Sequence, residues 1–599
     1  MGNKQNKSRS RKRRFAGNQH AVENVNKPRP EPNPIIDSPS PALNNGCFTL
    51  ERELRARNNK EEDDKNNAFI PVSVGLLANF ISSHMRCLEC CEFSIYCQLL
   101  DDKKDGFCHK ILFRCSSVDC GWSTIFTSSD EVKEGNGAGC KEINLRMASF
   151  ARSIGRGWGA LNNFSSYVNC PPPMSQSAYQ NILKKVHSSS KLVAIESMKE
   201  AAEEVREKAL LKDTRSSIEP MNPIDCAVSV DGTWQRRGHA SHHGVVSAIS
   251  VQTGKCVDTE ILSNYCKSCE HWEGRAGTEE YDKWKVKHLC NINHKGSANA
   301  MESVGVSRIF SRSVLEPRCL RYTEFLGDGD CASYKKVVEL DPYEGREIVK
   351  LECVGHVQKR VGSRLRRLKN SNKSTKLADG KGLTGKGRLT DKIIDTMQNF
   401  YGLAIRQNAG NLEAMSQAVS AILPHVASTD ANPMHDNCPE SWCQFKSSTG
   451  YKHKHGLPQC IVEFIKPIFD DLSSPDLLQK CLHGKTQNRN ECLNKLIWDR
   501  CSKEYFVEKN VVEEGVYSAV SFFNNGAQSV LDYYSVLGIN PGYFTTQLCH
   551  LRDNARANSS IVKSSEPARK RRKVLRAIKK GFQDKATEAE RDLYNPGGH

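Results

Sequence analysis

The chain has 599 residues, 26% charged and 38% hydrophobic, and its 86 Lys and Arg against 69 Asp and Glu leave a net charge of +17. At roughly 150 residues per domain this allows three or four structural units, and no apolar run approaches the ~18 residues of a bilayer-spanning helix, which excludes an integral membrane class. The 25 cysteines come with a polar, basic start, Met1 to Arg14, that lacks an apolar leader; a reducing compartment is expected, where metal ligation explains clustered cysteines better than disulfides.

In chain order, residues 1–66 read as a disordered basic arm. They contain Arg9-Ser10-Arg11-Lys12-Arg13-Arg14 and a Pro-rich run from Lys27 to Pro34, too little apolar surface to offset ordering entropy. Residues 67–130 read as a zinc-ribbon-like module. Cys87-x2-Cys90 and Cys115-x4-Cys120 are two knuckles bracketing strand-like segments, and each short loop brings two thiolates to one side of a tetrahedral Zn²⁺. Cys91, Cys97 and Cys108 are spare. Residues 131–220 read as a helical connector, with Met198, Ala201, Ala202 and Val205 at helical spacing.

From 221 to 370 an α/β unit is expected. Three short strands, Cys226–Val230, His243–Val251 and Cys256–Leu262, form an antiparallel meander, followed by helix (Ala298–Phe310), strand (Arg321–Leu326), helix (Ala332–Leu340) and strand (Glu347–Glu352). Between the third strand and the first helix, Cys266-x2-Cys269 with Cys290-x3-His294 makes a second four-ligand zinc set, with His288 as a competing ligand. Residues 371–480 read as a basic Gly/Lys/Ser linker, beginning near Asn370, and a helical insertion. Within it His435, Cys438, Cys443 and His453 surround Trp442 at irregular spacing, a pattern that suits a packed polar turn at least as well as a metal. Residues 481–560 hold a helix around Glu491 to Trp498, and 561–599 form a disordered basic tail with Arg569-Lys570-Arg571-Arg572-Lys573.

The charge is concentrated. Residues 1–14, 357–390 and 561–580 together carry +25, leaving the remainder at −8. Such blocks suit phosphate backbones and nuclear-import receptors.

Three carboxylates stand out. Asp231 follows the apolar run Ala227 to Val230, and Asp328 follows Tyr322 to Leu326, so both are expected at the carboxyl ends of buried strands, where open α/β sheets place their chemistry. Glu491 opens a helix whose Leu493, Leu496 and Ile497 turn inward while Glu491 and Asn494 share a neighbouring face. Hard oxygen ligands of this kind hold Mg²⁺ or Mn²⁺. Either Asp-Gly alone is also ordinary turn chemistry.

These segments resemble the Mutator-like transposases of the DDE class, which have a ribonuclease-H-like fold. The resemblance rests on Val230-Asp231-Gly232-Thr233-Trp234, Gly327-Asp328-Gly329-Asp330, Cys353-Val354-Gly355-His356 and Gly484 to Glu491, and runs from about Phe69 to Asn558. It implies a ribonuclease-H-like core split between 221–370 and 481–560, with Asp231, Asp328 and Glu491 as a metal-binding catalytic triad. Asp330 is the alternative middle acid. Cys353 and His356 match the family's Cys-x-x-His motif. The implied activity is metal-dependent cleavage and strand transfer of transposon ends by a nuclear homo-oligomer, with DNA as partner, catalytic Mg²⁺ or Mn²⁺ and structural Zn²⁺. A domesticated DNA-binding descendant without cleavage, or a nuclease without strand transfer, are the competing readings.

Overall fold

The computed structural model describes residues 68–100, 105–133, 139–211, 222–235, 241–328, 332–453 and 456–593. The arm read over 1–66 and the alternative acid Asp330 lie outside these residues.

Helix α1 (Val74–His84), capped by Ser73, precedes a three-stranded antiparallel sheet of β1 (Ile95–Leu99), β2 (Lys110–Cys115) and β3 (Ser123–Thr127), ordered β1-β2-β3. Its small core contains Ile81, Ile95, Cys97 and Ile111 beside the paired cysteines. A short pairing of β4 (Glu131–Val132) with β5 (Cys140–Lys141) leads into α2 (Glu142–Ser153), α3 (Trp158–Val168) and the 35-residue α4 (Gln176–Leu210). The last is more than a connector. Its first half, through Tyr179, Ile182 and Val186, packs with Leu145 and Ala148 of α2, whereas Ala201, Ala202 and Val205 of its second half join the core of the main sheet.

That sheet has five strands in the order β10-β9-β6-β7-β8, made of β6 (Ile224–Trp234), β7 (His243–Ser250), β8 (Cys256–Ser263), β9 (Leu320–Gly327) and β10 (Val349–Glu352). β6, β7 and β8 form an antiparallel meander; β9 runs parallel to β6, and β10 parallel to β9. Between β8 and β9 come α5 (Lys267–Glu273), α6 (Glu279–Lys287) and α7 (Ala298–Arg312), and between β9 and β10 comes α8 (Ala332–Leu340). Both faces of the sheet are covered. Val228, Val230, Val246 and Ala248 meet Met301, Val306, Ile309 and Phe310 of α7, and Val245, Ile249 and Ile261 meet the helices that return late in the chain. β7 is accordingly buried at every position, as expected of a strand covered on both sides.

After β10 the chain enters a helical insertion: α9 (Val354–Ser371), α10 (Asp391–Gln407), α11 (Leu412–Ser420), α12 (Ile422–Ala427), α13 (Gln444–Ser447), α14 (Gln459–Leu472) and α15 (Pro475–Cys481). It has its own core, including Val357, Val361, Tyr401, Ile461 and Ile465. The segment read as a basic linker differs from that reading. α9 continues to Ser371, and the loop after it is folded into this core: Leu383 and Leu389 are fully buried, and buried Arg388 is paired with Asp379. The Gly/Lys/Ser composition masked leucines spaced six apart.

Helix α16 (Asn488–Arg500) then returns to the main sheet, followed by α17 (Lys509–Asn525), α18 (Ser529–Val536), α19 (Tyr543–Ser564) and α20 (Glu566–Leu593). The C-terminal basic region is therefore helical rather than disordered over its described part. Ala, Arg, Lys and Leu are good helix formers, and Glu566 pairs with Lys570 one turn on at 2.7 Å. No helix among the described residues is long and apolar enough to cross a membrane.

Candidate functional site

The acidic residues are organised by the contact of α16 with β6. β6 extends beyond the expected end at Val230 to Trp234, so Asp231 is inside the strand, opposite Ser247 of β7. Pairing with β9, however, stops at Ser229–Leu326. Asp231 thus lies on the stretch of β6 whose other edge is open, just where β9 gives way to Asp328.

Along that stretch α16 is fastened by a ladder of side chains. Asn490 Nδ2 donates to Ser229 O at 3.1 Å, Asn494 Nδ2 to Asp231 Oδ2 at 2.7 Å, and Trp498 Nε1 to Thr233 Oγ1 at 2.8 Å. Four helical residues rise about 6 Å and two strand residues about 6.6 Å; a four-residue step on the helix therefore keeps pace with a two-residue step on the strand. Ahead of the helix, Gln487 Nε2 donates to Val230 O at 2.8 Å. Glu491, between the first two rungs, remains exposed and its charge acts on Asp231.

Asp231 titrates abnormally. Burial, then repulsion from Glu302 and more weakly from Glu491, push its pKa up to about 6, against the opposing effects of the Asn494 amide and His356. Glu302, on α7, is itself raised, chiefly by burial with the Asp328 charge adding to it, while Ser333 Oγ donates to it at 3.3 Å. Its closeness to the strand is visible at Gly232, where an added Cβ would stand 2.9 Å from Glu302 Cγ. Sequence reasoning missed this fourth carboxylate. The available signal was its position four residues before buried Val306, on a helix otherwise turned inward by apolar residues.

Asp328 is more exposed and meets His356 Nδ1 at 3.2 Å and Arg360 at 3.8 Å. His356 is in the first turn of α9, and Cys353 is the residue preceding that helix. Hydrogen bonding to Cys353, with Asp328 nearby, holds the imidazolium above its ordinary pKa. The Cys353 thiol is buried, yet the His356 contact and the Gln487 backbone N–H, 3.4 Å from its sulfur, lower its pKa. The Cys-x-x-His pair therefore connects β10, α9 and the start of α16 beside the acids.

Among the described residues, three Cys/His groups bring four donor atoms to within 4.8 Å of one another and could hold zinc. In the first, Cys87, Cys90, Cys115 and Cys120 come together as expected, with Cys87–Cys120 and Cys90–Cys115 sulfurs each 3.6 Å apart. Cys97 is buried in the same small core without joining the group, and Cys108 is buried with its sulfur 3.8 Å from Ser129 O. The second group requires a correction. Cys266, Cys269 and Cys290 gather around His288 Nε2, which is 3.4 Å from Cys266 and 3.3 Å from Cys269. His294, expected as the fourth ligand, is instead buried with Nε2 donating to Ser297 O at 3.1 Å, next to the start of α7. Helix α6 ends at Lys287 and delivers His288 at its C-cap, whereas the chain beyond Cys290 turns back to pair with Ser263. The third group contains His435, Cys438 and Cys443 with His425, not His453.

The model of the Mutator-like transposase family matches residues 67–443. The chain belongs to that family. No curated protein and no solved structure matches it. The matched span includes Asp231, Asp328, Glu302 and the Cys353/His356 pair; Glu491 is beyond it. Membership implies a transposase-related function, with DNA as partner and use of a divalent metal. The residues present fit a hard divalent cation. The donors are carboxylate oxygens, Asp231 and Glu302 are half-buried like charges, and Asn494 Oδ1 is a buried acceptor with no hydrogen-bond partner among the described residues.

Proposed function

We propose that the protein is a DDE transposase, built on a ribonuclease-H-like core, that cleaves transposon ends with water and joins the freed 3′-hydroxyl to target DNA. The observation that carries this reading is the α16 ladder, which brings Glu491 toward Asp231 where β9 gives way to Asp328. The sheet order supports it too. A three-stranded antiparallel meander continued beyond its first strand by two parallel strands, with helices between the meander and the fourth strand, is what a ribonuclease-H-like core would require.

Asp231, Asp328 and Glu491 would hold Mg²⁺ or Mn²⁺. When bound, these ions supply Lewis-acid activation of the attacking oxygen and neutralise charge on the scissile phosphate. Asn494 orients the Asp231 carboxylate and favours its ionised form; His356 and Arg360 restrain Asp328. Outward-facing Lys359 and Arg367 of α9 offer phosphate contacts, which set position rather than sequence. The first two Cys/His groups, each with four protein ligands, would be closed structural zinc sites. The protein would work in the nucleus, carried there by import receptors that read the basic clusters, and as a homo-oligomer that pairs two DNA ends.

The test is a cleavage and strand-transfer assay in Mg²⁺ or Mn²⁺ on DNA carrying the flanking terminal repeats, with Glu491→Gln as control. Joined products from the wild type alone support the proposal. Cutting without joining indicates a nuclease, and tight binding without cutting a domesticated DNA-binding protein.

A further inference from the structure

The helical insertion contains a Cys/His group that the transposase reading does not use. His425 is on α12. His435, Cys438 and Cys443 come from the turn that crosses over it, and Cys438 and Cys443 are members of the insertion's core, together with Trp442. Cys438 Sγ is 3.5 Å from His425 Nδ1 and 3.6 Å from His435 Nδ1; Cys443 Sγ is 3.5 Å from His435 Nδ1; the two Nδ1 atoms are 3.1 Å apart. With Zn–S of about 2.3 Å and Zn–N of about 2.0–2.1 Å, the edges of a tetrahedron are roughly 3.5–3.6 Å for S–N and 3.3–3.4 Å for N–N. The observed separations match these to within about 0.3 Å.

The surroundings of His435 give a second, independent indication. Its Nε2 is 2.9 Å from Ser428 Oγ and 2.8 Å from His453 Nε2, and His453 Nδ1 is 2.7 Å from the Asp430 carboxylate. The proton assignment that satisfies this chain puts hydrogen on His453 Nδ1, donated to Asp430, and on His435 Nε2, donated to His453. His435 Nδ1 is then left as a bare lone pair directed among two sulfurs and a second imidazole nitrogen. A carboxylate-backed histidine that fixes the tautomer of a liganding histidine is the usual outer shell of a zinc site. The spacing looked irregular because one ligand, His425, is ten residues before the next, and because His453 belongs to this outer shell.

We propose that His425, His435, Cys438 and Cys443 bind a zinc ion that ties the 428–443 turn to α12 and completes the core of the insertion, with His453 as a positioning residue. The four donors are protein side chains, so the site is structural.

Metal analysis of the full-length protein tests this directly. The expected content is three zinc ions per chain, falling to two in Cys443→Ala; two in the wild type, or an unchanged content in the variant, overturns the proposal. X-ray absorption at the zinc edge of the wild type gives an answer that does not depend on a variant folding. Three sites average three sulfurs and one nitrogen per ion, whereas the other two groups alone would give seven sulfurs and one nitrogen over two ions. His453→Ala should retain three ions at saturating zinc but lose one of them to chelator with ~10–100-fold lower affinity. Chelator resistance equal to the wild type removes the role of His453 and, with it, the tautomer argument.

Discussion

Asn494 Nδ2 donates to Asp231 Oδ2 at 2.7 Å, and this bond is the middle rung by which α16 is laid along β6. It offsets part of the burial and of the Glu302 charge around Asp231. Asn494→Leu keeps the volume and removes the donor. A hydrogen bond to a charged group contributes about 1.5–3 kcal/mol, so Mn²⁺ affinity at pH 7 should fall by about tenfold or more while folding is largely retained. Titration followed by the electron paramagnetic resonance signal of free Mn²⁺ measures it; unchanged affinity would mean that Asp231 is not a metal ligand.

Glu302 acts on the same carboxylate in the opposite sense. As a negative neighbour it raises the Asp231 pKa, which with burial reaches about 6, and protons then compete with the metal as pH falls toward that value. Glu302→Gln removes the repulsion. The pH at which Mn²⁺ binding is half lost should move down, and the variant should bind better than wild type near pH 5.5. Weaker binding across the whole pH range would instead make Glu302 a direct ligand.

The second cysteine group separates two histidines that sequence spacing alone could not. His288→Ala should lower zinc content by one ion per chain, since its Nε2 meets Cys266 and Cys269, and the loss should lower folded yield because structural zinc contributes folding free energy. His294→Ala should keep its zinc and lose only the hydrogen bond to Ser297 O, about 1 kcal/mol. Reversal of these two outcomes would restore the original assignment.

Much of this arrangement was legible in the sequence where period and chemistry agree. The β6–β7–β8 meander, the following helix-strand-helix-strand order and the Cys87/Cys90/Cys115/Cys120 group were visible because short alternating or apolar runs and paired knuckles are local signals. Glu302 was hidden because a helix stripe says which face is buried, not which carboxylate of the fold it meets. His425 was hidden, and His288 could be named only as a competitor of His294, because ligands on separate elements are chosen by where helices end, and spacing along the chain does not record that. The basic loop before α10 misled for a compositional reason: five Lys and Arg in 372–390 obscured Leu383 and Leu389, which decide its fate.

The stability of the core itself should depend on pH through His243. This residue of β7 is fully buried, its Nε2 donates to Val507 O at 2.9 Å, its Nδ1 has no partner among the described residues, and burial pushes its pKa down to about 4. Between pH 6.5, the ordinary histidine value, and pH 4, the unfolded chain takes up a proton that the folded one refuses. Stability therefore rises with pH across that window and is lost as pH falls through it. From pH 7 to pH 5 the loss from this residue should be about 2 kcal/mol. His243→Gln preserves a donor toward Val507 O and cannot titrate. Urea denaturation at the two pH values should show a fall in stability smaller by that amount in the variant than in the wild type; an equal fall in both would mean that His243 is protonated in the folded protein.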